Sequence, residues 1–176
     1  MTSPLYPLTK EHYLAFGVIV HSFARFERLI EISIHCAIGA RSFGLAAMAI
    51  SGLGYQAKSE ALSALLGTVK FPNDDNAKIL KYLTDFNSNL PLRNVIAHHV
   101  WREGKREGSI KPLKISVRGG KRRLQGTREE ETDYTLDDLA SIATSLNDQC
   151  EEFAAFLNSA GVFDSIDKQT ARAKEA

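Results

Sequence analysis

TLDDLASIATSLNDQCEEFAAFL, residues 135–157, decides the fold. Leu136, Leu139, Ala143, Leu146, Cys150, Phe153 and Leu157 recur at alternating three- and four-residue intervals. That is the period of one helix face, not the two-residue alternation of a strand. Thr135 and Asp138 have the spacing of a capping box, in which each side chain accepts the other residue's backbone N–H. Gly161 stops the pattern. Three heptads of this kind read first as a seam within a helix bundle and second as a dimer contact.

Working outward, a second long amphipathic pattern lies near the N-terminus. Thr9 is placed to cap a helix reaching about Ile38, with Phe16, Ile19, Phe23, Phe26, Ile30 and Ala37 on a near-heptad stripe. Val18, Leu29, Ile32 and Cys36 widen that stripe, which predicts burial by the core and by a partner subunit. Between the two lie a short helical piece over residues 41–51, a helix over 55–69 marked by Leu62, Leu65, Leu66 and Val69, and a helix carrying Ile79, Leu83 and Phe86. Pro91 opens a further helix, because proline fits a first turn while restricting the residue before it. The pattern carries this helix close to Gly104. Leu113, Ile115 and Val117 then alternate with Lys114, Ser116 and Arg118, and Gly119-Gly120 offers a two-residue turn into residues 121–125. In that hairpin Lys114, Arg118, Lys121 and Arg123 share a cationic outer face. The expected fold is all-α, a bundle of four to five helices with a small β-hairpin inserted before the last long helix. One domain covers residues 1–162, with the basic insert at about 105–128 and a tail at 163–176.

The 176 residues, 44% hydrophobic with five prolines, suffice for one domain with an ordinary core. The longest apolar run, near residues 44–50, falls far short of the ~20 residues of a membrane span. The N-terminus lacks a signal-peptide pattern, so the expected location is cytoplasmic, with no membrane partner. Cys36 and Cys150 are the only cysteines and form no Cys-x-x-Cys pair, which argues against a zinc site or structural disulfide. The net charge of +1 hides an asymmetry: residues 102–128 carry ten Lys or Arg against two Glu, a balance of +8, leaving −7 elsewhere. A basic block of this kind suits a polyanion, although a solvated hairpin is the ordinary explanation of a charge run.

The block begins four residues after His98. Placed on a helix at roughly 100° per residue, Leu92, Val95, Ile96 and His99 form one stripe, and Arg93, Asn94, Ala97, His98 and Trp101 the opposite arc. A permanently charged guanidinium suits a phosphate oxygen, and an imidazole with reference pKa ~6.5 exchanges protons near neutrality. Asn94 and His98 are i,i+4 neighbours, close enough for the amide to orient the ring. Trp101 on this arc has the chemistry to stack a base, and equally that of an interface residue.

Arg93, Asn94 and His98 resemble the Arg-x(4 to 6)-His motif of the HEPN superfamily, including the polar residue after the arginine, and the likeness extends over roughly residues 10–160. The resemblance implies a small all-helical domain acting as a metal-independent endoribonuclease without a cofactor, in prokaryotic defence, stress or toxin–antitoxin regulation. It implies catalytic roles for Arg93, His98 and Asn94, a composite site across a homodimer, and an antitoxin or regulatory protein as a possible partner. Some members carry a tyrosine two residues after the histidine. Val100 stands there, so that subtype's regulation does not carry over. RNA is the expected ligand, with Trp101, Arg102, Lys114, Arg118, Lys121 and Arg123 as contacts.

Two other readings stay open. One is a catalytically silent helical module binding a nucleotide, RNA or a protein, and the other a nucleic-acid-binding regulator that uses the hairpin without cleaving. Glu31 and His35 are too few for a metal site, His12 and His21 stand alone, and Glu27 is placed to pair with an arginine near the motif. No Gly-rich phosphate loop, Gly-x-Ser-x-Gly elbow or His-Glu-x-x-His helix is present.

Overall fold

The computed structural model describes residues 8–39, 43–71, 75–113, 116–118, 121–123, 133–164 and 166, and of residues 43–45, 116–118 and 121–123 the backbone alone. The fold is all-α. Its described elements are α1 (Lys10–Ala37), α2 (Phe43–Ile50), α3 (Tyr55–Leu66), α4 (Asn76–Asn87), α5 (Leu90–His98), β1 (Val100–Glu103), β2 (Ile110–Leu113), β3 (Ser116–Arg118), β4 (Lys121–Arg123) and α6 (Leu136–Ser159). Two compact units share the long helices α1 and α6: residues 1–21 with 89–147, and residues 22–88 with 148–176.

In the second unit the helical periodicity becomes an aromatic core. Phe26 and Phe86 stack at 3.8 Å between ring centroids, Phe23 meets Phe86 edge-on at 4.7 Å, and Phe153 of α6 lies 5.2 Å from Phe26. Helices α1 and α6 run in the same direction here, since Ser22 meets Cys150, Arg25 meets Glu151 at 2.5 Å, and Phe26 meets Phe153. α3 stops at Leu66, three residues short of its apolar pattern. The Asn76 amide accounts for that, donating to the carbonyls of Leu66 and Val69, each at 2.7 Å, while its Oδ1 accepts the Phe71 N–H. The turn after α3 is thereby satisfied by a side chain in place of further helix.

In the first unit α6 begins with the expected capping box: Thr135 N–H donates to Asp138 Oδ2 at 2.9 Å, and Asp138 N–H to Thr135 Oγ1 at 3.1 Å. The pattern residues Leu139, Ala143 and Leu146 are buried. The motif helix α5 has Pro91 in its first turn, as expected, but ends at His98 and not near Gly104. His99 is extended, and residues 100–103 form β1, paired antiparallel with β2 in the register Val100↔Leu113, Trp101↔Pro112. Trp101 explains the early stop. Its indole packs on Phe16 at 4.9 Å and edge-on to Tyr134 at 6.1 Å, a burial that outweighs helix propensity over five residues. Leu113 therefore belongs to this first hairpin and not to the predicted one. The second hairpin, β3 with β4, has the expected two-residue connection, pairing Ser116 with Arg123 and Arg118 with Lys121.

Candidate functional site

α5 is held by Leu92, 7% exposed, which leaves Asn94, Ala97 and His98 on open surface and Arg93 half-buried. Arg93 and His98 are five residues apart on a regular helix, hence roughly 140° apart in azimuth and about 7.5 Å along the axis. Arg93 Nη1 donates to Asn94 Oδ1 at 3.1 Å. The amide expected to orient His98 is thus engaged with the arginine, and among the described residues no hydrogen bond joins Asn94 to His98. The ring of His98 sits in the last turn, where the backbone turns away as His99 N–H closes on Val95 carbonyl at 3.0 Å. His99 is half-buried, and its Nδ1 has no hydrogen-bond partner among the described residues.

The expected RNA contacts fare differently from one another. Trp101 is 4% exposed, so its ring is a core group and is closed to base stacking. The helical projection placed it on the open arc only because it assumed helix beyond His98. Arg102 is half-buried on β1, where its register partner is Lys111, itself 8% exposed. Lys114 lies outside the described residues. Arg118, Lys121 and Arg123 fall on the second hairpin as register positions of β3 and β4.

Two charge constellations were not read from the sequence. The first clasps the β1–β2 turn. Asp133 Oδ2 accepts the N–H of Lys105 and, at 3.3 Å, that of Arg106, while the Arg106 guanidinium bonds the Asp133 carbonyl and reaches Asp138 at 2.8 Å. Burial works against ionisation of Asp133, but these donors overcome it and hold the carboxyl below its ordinary range. The Thr135 backbone N–H and Arg106 do the same for Asp138. Arg106 and Lys111, two of the ten cations in the basic block, are therefore built into the fold. The sequence signal was present in Asp138, whose capping role hid its second partner.

The second constellation corrects the expectation for Glu27, which pairs with a lysine and not with an arginine near the motif. Lys58, 4% exposed, donates to Glu27 at 2.6 Å and Glu31 at 2.7 Å, and Glu31 also receives Arg28 at 2.8 Å. Burial raises Glu31's proton affinity, yet Lys58 and Arg28 together hold it below the ordinary value. Beside them Tyr55 Oη donates to Asn87 Oδ1 at 2.7 Å, and Asn87 Nδ2 to Ser59 Oγ at 2.9 Å. Burial pushes the Tyr55 hydroxyl well above its usual range. The Cys150 thiol is likewise raised by burial, to about 11, and is inert as a nucleophile near neutrality.

Among the described residues no three His, Cys, Asp or Glu side chains gather as metal ligands, and no helix is long and apolar enough to cross a membrane. No family model, curated protein or solved structure matches the chain.

Proposed function

We propose that this chain is a HEPN-like endoribonuclease that cleaves RNA through attack of a ribose 2′-hydroxyl on the adjacent phosphodiester. The observation that supports it is the surface of α5, where His98 is exposed and Arg93 half-exposed with Asn94 holding its guanidinium. In the proposed step His98 accepts the 2′-hydroxyl proton, the 2′-oxygen bonds phosphorus, and the 5′-oxygen leaves and takes up a proton, giving a 2′,3′-cyclic phosphate. Arg93 carries the charge that grows on the non-bridging oxygens, and Asn94 fixes the guanidinium plane towards them. Because the two side chains diverge by roughly 140°, a two-fold homodimer supplies the facing wall and makes one composite cleft.

Purified protein incubated with labelled RNA in EDTA tests this. The expected result is cleavage to cyclic-phosphate ends, lost in Arg93→Ala and in His98→Ala while both variants keep their helical content. Mixing the two inactive variants under subunit exchange restores part of the activity if the cleft is shared. A second reading, a catalytically silent module of the same kind, is favoured by one observation: His98 has no orienting hydrogen bond among the described residues. Binding without cleavage by the wild-type protein selects it.

A further inference from the structure

Thr9 starts α1, its carbonyl accepting Tyr13 N–H at 3.3 Å. Three positions on stands His12, where a capping box carries Glu or Gln to reach back to the backbone N–H of the capping residue. Here an imidazole does the same. His12 Nδ1 accepts Thr9 N–H at 3.2 Å and lies 3.0 Å from Thr9 Oγ1. A backbone N–H can only donate, so Nδ1 is bare of hydrogen and the neutral ring carries its proton on Nε2. That Nε2 is enclosed and has no hydrogen-bond partner among the described residues, in a residue only 5% exposed.

A second proton has no favourable place on this ring. It must enter at Nδ1, where it turns the acceptor of Thr9 N–H into a donor facing it and leaves the Thr9 hydroxyl oxygen as the one partner at hand. It also puts a full charge on an enclosed group. Burial accordingly lowers the proton affinity of His12 from its ordinary value of 6.5, against the pull of the Glu11 carboxylate. Glu11 lies in the same turn, and its own carboxyl is held below the usual range first by the Thr9 hydroxyl. From α6, Asp137 lines the same open surface cavity as Glu11. From β1, Trp101 packs against α1 through Phe16, one turn beyond His12, and His99 lies two residues before Trp101 in extended chain. Of the charged groups among the described residues, Glu11 is the one that acts on His12. A Glu in this position keeps its charge, and a Gln its carbonyl, through the range in which histidine titrates. The imidazole makes the helix start sensitive nearer neutrality.

We propose that the first turn of α1 is an acid-released latch, in which one proton on His12 opens the box at Thr9 and lets the helix uncoil towards the point where Phe16 meets Trp101. The proposal goes beyond RNA cleavage and does not depend on it. Because the folded ring resists the proton, the stabilisation is complete above about pH 6.5 and is lost as pH falls through the folded value. The test is nitrogen-15 NMR of the full-length protein during acidification. His12 is expected as the Nε2–H tautomer at neutral pH, and its titration should coincide with loss of hydrogen-exchange protection at the Thr9 and Tyr13 amides. His12→Gln keeps an acceptor and has no proton to gain. Between about pH 7 and 5 the wild-type Tm should fall about 2 to 4 °C further than that of the variant, the worth of one cap in a chain of this size. The other four histidines are common to both proteins and cancel in the difference. An Nδ1–H tautomer at neutral pH, protection of Thr9 and Tyr13 that survives protonation of His12, or equal acid sensitivity of Tm in the two proteins would each overturn the proposal. If His12→Gln does not fold, the titration of the wild-type protein decides alone.

Discussion

Removing Lys58 would leave Glu27 and Glu31 sharing a half-buried site, with Arg28 the cation remaining beside Glu31 among the described residues. Lys58→Met is expected to lower unfolding free energy by about 3 kcal/mol, the usual cost of breaking a buried ion pair from one side. The pH dependence carries a sign. Glu31's depressed pKa contributes stability that is present above the unfolded carboxylate range and lost as pH falls through the folded value. In the variant only the part due to Arg28 remains, so the difference between wild type and Lys58→Met should shrink in denaturant melts as pH drops below ~4.3. Trp101 gives a second residue-level expectation. As the chain's one tryptophan, packed on Phe16, it should emit at short wavelength and stay unquenched when RNA binds. Trp101→Ala should cost roughly 3 to 5 kcal/mol of stability, with no selective effect on RNA affinity.

At the scale of elements, the cap of α6 and the clasp on the β1–β2 turn meet in Asp138. Thr135→Ala should destabilise the protein by about 1 kcal/mol in denaturant melts. Gly104→Ala should cost more, about 1 to 3 kcal/mol, because a Cβ there collides with the Ser109 hydroxyl and comes within 2.9 Å of the Asp133 carboxylate. The capping box was legible because both partners lie within four residues of one another and their chemistry is local. The end of α5 was not. Residues 99–103 keep an acceptable helical pattern, and what turns them into a strand is Phe16, more than eighty residues earlier in the chain, together with Pro112 and Leu113 across the hairpin. The stop of α3 escaped for the same reason, since Asn76 acts across a loop that reads only as polar. The α5 face itself, with Leu92 inward and Asn94 and His98 outward, was readable because it needs nothing beyond the helical period.

For the whole molecule, the uneven distribution of charge predicts that RNA affinity falls steeply with salt, as each neutralised phosphate releases counterions. Reversing Lys114, Lys121 and Arg123 to Glu should flatten that dependence in filter-binding titrations without changing the cleavage rate at saturation. Arg106 is excluded from this set because its loss would open the turn clasp. The pairing of α1 with α6 has a further bearing, on how the chain is made. Arg25 and Glu151 are 126 residues apart, and Ser22 and Cys150 are 128 apart, so α1 leaves the ribosome long before its partner helix has been made. Until then Phe26 lacks its packing on Phe153. Contacts of such high sequence separation slow folding and prolong the exposure of apolar surface. The nascent chain is therefore expected to depend on chaperone protection until residues 135–157 emerge.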